Sequence, residues 1–265
     1  MDLGLEGRAC AVTGASSGIG RATAVSLARE RAAVLLVGRR EQPLTDVAQE
    51  CRQAGGRVET LAVDVTAADA GERVVEALLG NFDRIDVLVN SAGTSSIRTL
   101  EQLTDDDWQT QWDLNVIGPM RLMRVAAPEM ARRGWGRIVN VCSSSGKRPS
   151  STNMAYSVAK AAELSLSRAF ADLYAAKGVL INAVAPGPVG TDLWMAPGGM
   201  ADQAAQAQDK TREQVLEATA GRSPLGRFST EEEIAAVITF LCSDTASNVV
   251  GAAWSADGGS VPVII

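Results

Sequence analysis

Tyr156 and Lys160 stand four residues apart in Tyr156-Ser157-Val158-Ala159-Lys160. On a helix that spacing puts both side chains on one face. A lone phenol titrates near ~10 and exchanges protons poorly at neutral pH. An ammonium beside a phenol favours the phenolate. Such a pair can give a proton to a carbonyl oxygen or take one from an alcohol, although an ordinary helix-face pair would look the same. The chain offers few competitors. It has 265 residues and no histidine, which removes Ser-His-Asp and Cys-His catalysis and any His-ligated metal. The other tyrosine, Tyr174, has Gly178 at the matching offset. Cys10, Cys51, Cys142 and Cys242 are widely spaced, with no C-x-x-C, and read as buried reduced thiols.

A second cluster lies near the N-terminus. Thr13-Gly14-Ala15-Ser16-Ser17-Gly18-Ile19-Gly20 follows an apolar run and opens a helical pattern. Glycines there allow a tight turn and let a phosphate approach the backbone, and the helix end offers free N–H groups. The alternative is a plain tight turn, since the spacing is G-x-x-x-G-x-G rather than the generic G-x-G-x-x-G. About 20 residues on, an NAD site usually places an acid for the ribose. Here the run ends Val37-Gly38-Arg39-Arg40, two arginines and no acid. A guanidinium fork suits a 2′-phosphate, so NADP(H) is favoured and NAD(H) stays possible; the competing reading is a solvated loop. Asp64 and Val65 are placed to bracket an adenine.

The elements that must position these groups alternate regularly. Short runs rich in Val, Leu, Ile and Ala fall at 9–13, 34–37, 60–63, 86–90, 137–141, 180–185 and 252–255. Near-continuous apolar runs predict strands covered on both faces, hence a parallel sheet. Helical patterns separate them at 21–31, 44–54, 67–79, 104–133, 153–177 and 231–243, with another near 200–220. The expected fold is α/β, a Rossmann-like doubly wound sheet of about seven parallel strands with helices on both faces. One domain covers 1–265, with an excursion at about 188–229 over the C-terminal edge of the sheet.

Composition narrows the class. Hydrophobic residues make up 46% and charged residues 21%, which excludes a disordered chain or a disulfide-dense miniprotein. A net charge of −6 disfavours nucleic-acid partners. No apolar run reaches the ~20 residues of a membrane span, and no signal-like start is present, so the expectation is a cytoplasmic protein with no membrane partner.

Taken together, Thr13-Gly14-x-x-x-Gly18-x-Gly20, Asn90-Ser91-Ala92-Gly93, Asn115, Ser143, Tyr156-x-x-x-Lys160 and Pro186-Gly187 resemble the short-chain dehydrogenase/reductase family, in its compact single-domain branch. The resemblance covers essentially the whole chain. It implies reversible hydride transfer between NADP(H) and a small carbonyl or secondary alcohol, of ketoreductase type, with 3-oxoacyl substrates possible. It implies a tetrad: Tyr156 as general acid/base, Lys160 tuning it and holding the nicotinamide ribose, Ser143 polarising the carbonyl, Asn115 supporting a relay. The cofactor would meet Gly14, Ser16, Ser17, Gly18, Ile19, Gly20, Arg39, Arg40, Asp64, Val65, Asn90, Ala92, Gly93, Tyr156, Lys160, Pro186, Gly187, Val189 and Thr191. Ser145, Trp194 and Met195 would face substrate; no metal is expected. The resemblance also implies a homo-oligomer, tetramer or dimer. Two departures stand out. Ser91 replaces a second asparagine, and Ser17 occupies a position where NADP-using members often carry a base. An NAD-dependent alcohol dehydrogenase, an epimerase or dehydratase relative and a non-catalytic NADP sensor are the competing readings.

Several features need no chemistry. Trp108 and Trp112, four apart, suit packing. Asp105-Asp106-Asp107 suits a helix start. Arg132-Arg133 suits a solvated helix end, or a face for an acidic carrier protein. Pro119 lies four residues after Asn115 and has no N–H for its carbonyl, so that carbonyl is predicted to be free for a relay water, or the helix simply curves there. Leu193-Trp194-Met195 and Gly198-Gly199-Met200 mix apolar bulk with hinges, as a substrate lid would.

Overall fold

A computed structural model describes residues 2–262. Seven strands form one sheet: β1 (Ala9–Thr13), β2 (Ala33–Gly38), β3 (Arg57–Ala62), β4 (Val87–Asn90), β5 (Gly136–Val141), β6 (Val179–Pro186) and β7 (Ala253–Ala256). Their order is β3-β2-β1-β4-β5-β6-β7 and every pairing is parallel. The order reverses between β1 and β4, where the carboxyl ends of the strands leave a crevice.

Alternate residues of each strand feed two cores. Cys10, Val12, Val34 and Leu36 pack with Leu27, Leu44 and Ile234 on one face. Ala9, Ala11, Leu35 and Val37 pack with Val74, Met123 and Ala171 on the other. Those side chains come from helices α1 (Gly18–Arg29), α2 (Glu41–Gln53), α3 (Ala70–Phe82), α5 (Gly118–Arg132), α7 (Met154–Tyr174) and α11 (Glu231–Leu241). Burial of both faces explains the unbroken apolar runs of β1, β2, β4 and β5. The edges differ from that expectation. β3 and β7 are largely half-buried or exposed, because each has a neighbour on one side only.

Two helical patterns break. The stretch 104–133 is α4 (Asp105–Trp112), a π turn at Asp113–Ile117, then α5. Gly118 N–H donates to the Asp113 carbonyl, five residues back. Pro119 falls just after the π turn in this continuous helical path and has no N–H to give to the Asn115 carbonyl. The stretch 200–220 is two helices, α9 (Met200–Gln208) and α10 (Arg212–Ala220). Asp209 separates them in the left-handed region at φ 51°, a common way to end a helix. Two short helices, α6 (Ser144–Lys147) and α8 (Asp192–Met195), complete the order.

The excursion leaves and returns at one point. Ser229 N–H donates to the Pro188 carbonyl and Gly190 N–H to the Ser229 carbonyl, so α8, α9 and α10 hang from a closed base.

Candidate active site

The crevice at the β1/β4 reversal is a cavity of about 600 Å³, within the range of small-molecule sites. Its floor is backbone. Gly14 has φ +65°, and a Cβ there would sit 2.8 Å from the Ala92 α-carbon. A Cβ on Gly20 would sit 2.3 Å from the Gly14 carbonyl oxygen. The hydroxyl of Thr13 accepts from the N–H groups of Ser91 and Ala92 at 3.0 and 3.1 Å, tying the loop after β4 to the end of β1. No side chain caps α1, so its first N–H groups remain available to an anion. Arg39 and Arg40 are exposed at the rim. Asp64 bonds the Thr66 N–H; that bond, then the Thr66 hydroxyl and the Arg39 charge, hold its carboxyl below the usual range. These residues fit a dinucleotide with a phosphorylated ribose: a dipole end, a cradle whose glycines leave no room for an added Cβ, and two guanidiniums.

Tyr156 and Lys160 reach the far end of this cavity from α7. Lys160 Nζ lies 5.8 Å from the Tyr156 ring centre. It donates to the Val141 carbonyl at 2.8 Å and to Glu163 Oε2 at 2.7 Å. Burial alone would lower the Lys160 pKa; the Glu163 carboxylate, then Tyr156, hold it above its ordinary value. Asn115 is fully buried in the π turn, its amide donating to the carbonyl and side chain of Gln111, both at 2.9 Å. Its Oδ1 has no partner among the described residues. A Cβ on Gly93 would lie 3.5 Å from that oxygen and 3.8 Å from Lys160 Nζ, so Gly93 separates the two groups by one small residue.

A second, smaller cavity of about 150 Å³ adjoins the first, sharing Cys142, Tyr156 and Thr191. Ser143 lies on its wall; its Oγ accepts from the Ser145 N–H at 3.1 Å, which leaves the Ser143 proton free to be donated. Ser145, Pro186, Gly187, Val189 and Trp194 share that wall. Of the residues expected to hold cofactor, Gly14, Ser16, Ser17, Gly18, Ile19, Gly20, Arg39, Arg40, Asp64, Val65, Ala92, Gly93, Tyr156, Lys160 and Thr191 line the larger cavity. Asn90 lines neither. It is buried, with its amide bonded to Asn140 Oδ1 at 2.8 Å, and it ties β4 to β5. Met195 lines neither; its carbonyl accepts from Arg212, which also pairs with Asp202 and braces α8 against α9.

Sequence reasoning missed Ser95 and Asn153 on the smaller wall and Glu163 behind Lys160. Ser95 follows Gly93 by two residues and carried no motif signal. Its position is set by long-range bonds: Arg98 N–H to the Thr152 carbonyl and Ile97 N–H to the Gln203 side chain of α9. At this helix end Arg132 pairs locally with Glu129, and Arg133 reaches the Asp83 carbonyl beyond the end of α3.

Comparison with known proteins follows the same lines. The family model for short chain dehydrogenases matches residues 8–200. A 3-oxoacyl-(acyl-carrier-protein) reductase of Thermotoga maritima is 35% identical over 97% of this chain and 99% of its own. A cis-4-hydroxycyclohexanecarboxylate dehydrogenase of Sinomonas cyclohexanicum is 38% identical over 97% of each. Among solved structures, L-sorbose reductase of Gluconobacter frateurii, complexed with NADPH and L-sorbose, superposes with a TM-score of 0.92 at 34% identity over the full length of both chains. With the fold, the glycine cradle and the Tyr156/Lys160 pair in place, the chain belongs to the short-chain dehydrogenase family of oxidoreductases.

Proposed function

We propose that this enzyme is an NADP(H)-dependent carbonyl reductase whose substrate is a compact carbonyl compound bearing hydroxyl groups. The observation that carries the reading is the meeting of the two cavities at Tyr156: a glycine cradle with two arginines on one side, a small pocket of mixed polarity on the other. Bound NADP(H) supplies the hydride, or accepts it in the reverse direction. Tyr156 passes its phenolic proton to the carbonyl oxygen. Ser143 keeps its proton and donates a hydrogen bond to the same oxygen, which polarises it. The Lys160 charge stabilises the phenolate left behind, and Asn115 holds the relay side beneath Gly93.

Arg39 and Arg40 would take the 2′-phosphate. Titration of the tryptophan fluorescence with NADPH and NADH tests this. Arg39→Ala should weaken NADPH about tenfold, the loss of one charge-assisted contact, and leave NADH unchanged. Equal weakening of both, or tighter NADH in the parent, overturns the assignment.

The smaller cavity supports the substrate class. At about 150 Å³ it is the size that takes a benzene ring. Leu193, Trp194 and Met200 give it an apolar side; Ser95, Ser145 and Asn153 give it a polar one. Ser95 Oγ is buried without a partner among the described residues, a cost that a substrate hydroxyl would relieve. Relatives named for L-sorbose and for a hydroxycyclohexane carboxylate support the same class. A six-carbon ketose or a hydroxycyclohexanone should show higher kcat/KM than a 3-oxoacyl thioester, and the reverse ranking overturns the reading. The whole chain acts as one domain in this account. The assembly is a homo-oligomer in the cytoplasm. Trp112 on α4 and Val158 and Leu173 on α7 are exposed apolar residues that a second copy would cover. No described helix is long and apolar enough to cross a membrane.

A further inference from the structure

Glu163 takes no part in the reaction as derived above, yet it lies against the centre of it. It follows Lys160 by three residues, close to one turn of α7, and lines neither cavity. Its side chain is 1% exposed and that of Lys160 4%, with 2.7 Å between Oε2 and Nζ. Placing two charges this deep is costly, and a buried charge stays ionised only with a partner. The second acceptor of Nζ is one backbone carbonyl, Val141. Among the described residues no second carboxylate pairs with Nζ. The titratable groups facing the pair are Tyr156 on the same helix and Cys142 at the end of β5, and burial holds the Cys142 thiol well above its ordinary range.

We propose that Glu163 is a positioning residue of the hydride-transfer site: its carboxylate is the counter-ion that keeps the buried Lys160 ammonium charged and fixed at the end of β5, beside Tyr156. Without that carboxylate, one carbonyl remains to Nζ and burial favours the neutral amine. A neutral Lys160 offers Tyr156 no charge and offers a ribose one donor fewer. The effect on turnover rests on the reductase reading; the protonation state of Lys160 does not.

The test is a pH titration of protein labelled with carbon-13 at the lysine ε-carbon, whose shift reports amine protonation. There are four lysines, and the Lys160 signal is the one lost in Lys160→Met. In the parent, Lys160 should show no inflection below about pH 11; in Glu163→Gln, an inflection should appear inside that range, as for a buried amine that has lost its paired charge. NADPH-dependent kcat/KM in that variant should decline with rising pH along the same inflection, over a range in which the parent is flat. A merely structural role for Glu163 would lower activity at every pH alike and leave the Lys160 signal where it is. An inflection unmoved in folded Glu163→Gln overturns the proposal. If that variant does not fold, Glu163→Asp withdraws the carboxylate by one methylene, and an inflection unmoved there overturns it equally. A moved inflection with no turnover in parent or variant supports Glu163 as counter-ion and defeats the reductase reading instead.

Discussion

One end of the larger cavity is built on close-packed glycine backbone, whereas the smaller gathers side chains from separate stretches of chain. In the first, Gly14 and Gly20 bring main chain against main chain, the uncapped end of α1 presents N–H groups, and the loop after β4 is tied to β1 through the Thr13 hydroxyl. In the second, Ser95, Ser143, Asn153 and Trp194 arrive from four separate stretches, held together by Arg98 to Thr152 and Gln203 to Ile97. A backbone wall recognises what every dinucleotide shares, and it tolerates almost no added atom. A side-chain wall can be rewritten at one position without disturbing the sheet. One fold can therefore keep its cofactor while its substrate changes.

Substitutions can break this contrast in order of size. Tyr156→Phe sits where the two cavities meet, and should lower kcat about 10³-fold while NADPH affinity stays within threefold, because it removes the proton and no cradle contact. Turnover near the parent value in a stopped-flow assay would remove Tyr156 from the mechanism. Gly20→Ala attacks the backbone wall. Its Cβ meets a carbonyl oxygen at 2.3 Å with no side chain to give way, so NADPH affinity should drop about 100-fold or more, or the melting temperature should fall. Normal binding with normal melting would mean that the turn relaxes freely. Ser95→Ala attacks the side-chain wall. It should lower kcat/KM for a hydroxylated ketone about three- to tenfold, the worth of one hydrogen bond, with NADPH binding untouched. A matching drop for a ketone without hydroxyls would show loss of packing instead.

The smallest effect lies away from both cavities. Thr230 and Glu233 form a capping box at the start of α11, so Thr230→Ala should cost about 1 kcal/mol of stability and change neither affinity. The Arg227 contact, followed by the Thr230 N–H, lowers the Glu233 pKa to about 2. A lowered folded pKa means the contribution is complete above the unfolded value, about 4.3, and is lost as pH falls from there through about 2. Glu233→Gln should flatten the fall in melting temperature over that window. An unchanged slope would mean that the carboxylate is equally solvated when unfolded.

Legibility followed the same division. The seven strand runs stood within three residues of their observed limits, because strands covered on both faces read as unbroken apolar segments. The partly exposed edge strand β3 began three residues before its run, at Arg57, since a one-sided edge carries polar residues that blur the start. Helical spacing did not reveal the π turn before α5 or the break at Asp209, each being the work of one or two residues inside an otherwise regular pattern. Asn90 sat within a motif and was expected at the cofactor, but the sheet uses it to join β4 to β5.

By itself the sequence determined the glycine turn, the Tyr156/Lys160 pair and the alternation of strand and helix. Those are local properties, decided by residue type and spacing along a few turns of chain. Tertiary structure alone decided that Ser95 and Asn153 share a wall and that Asn90 does not. It also decided that a carboxylate three residues beyond Lys160 is buried against it instead of solvated on an open helix face. Burial and the meeting of distant segments depend on which surfaces pack together, and no short window of sequence contains that.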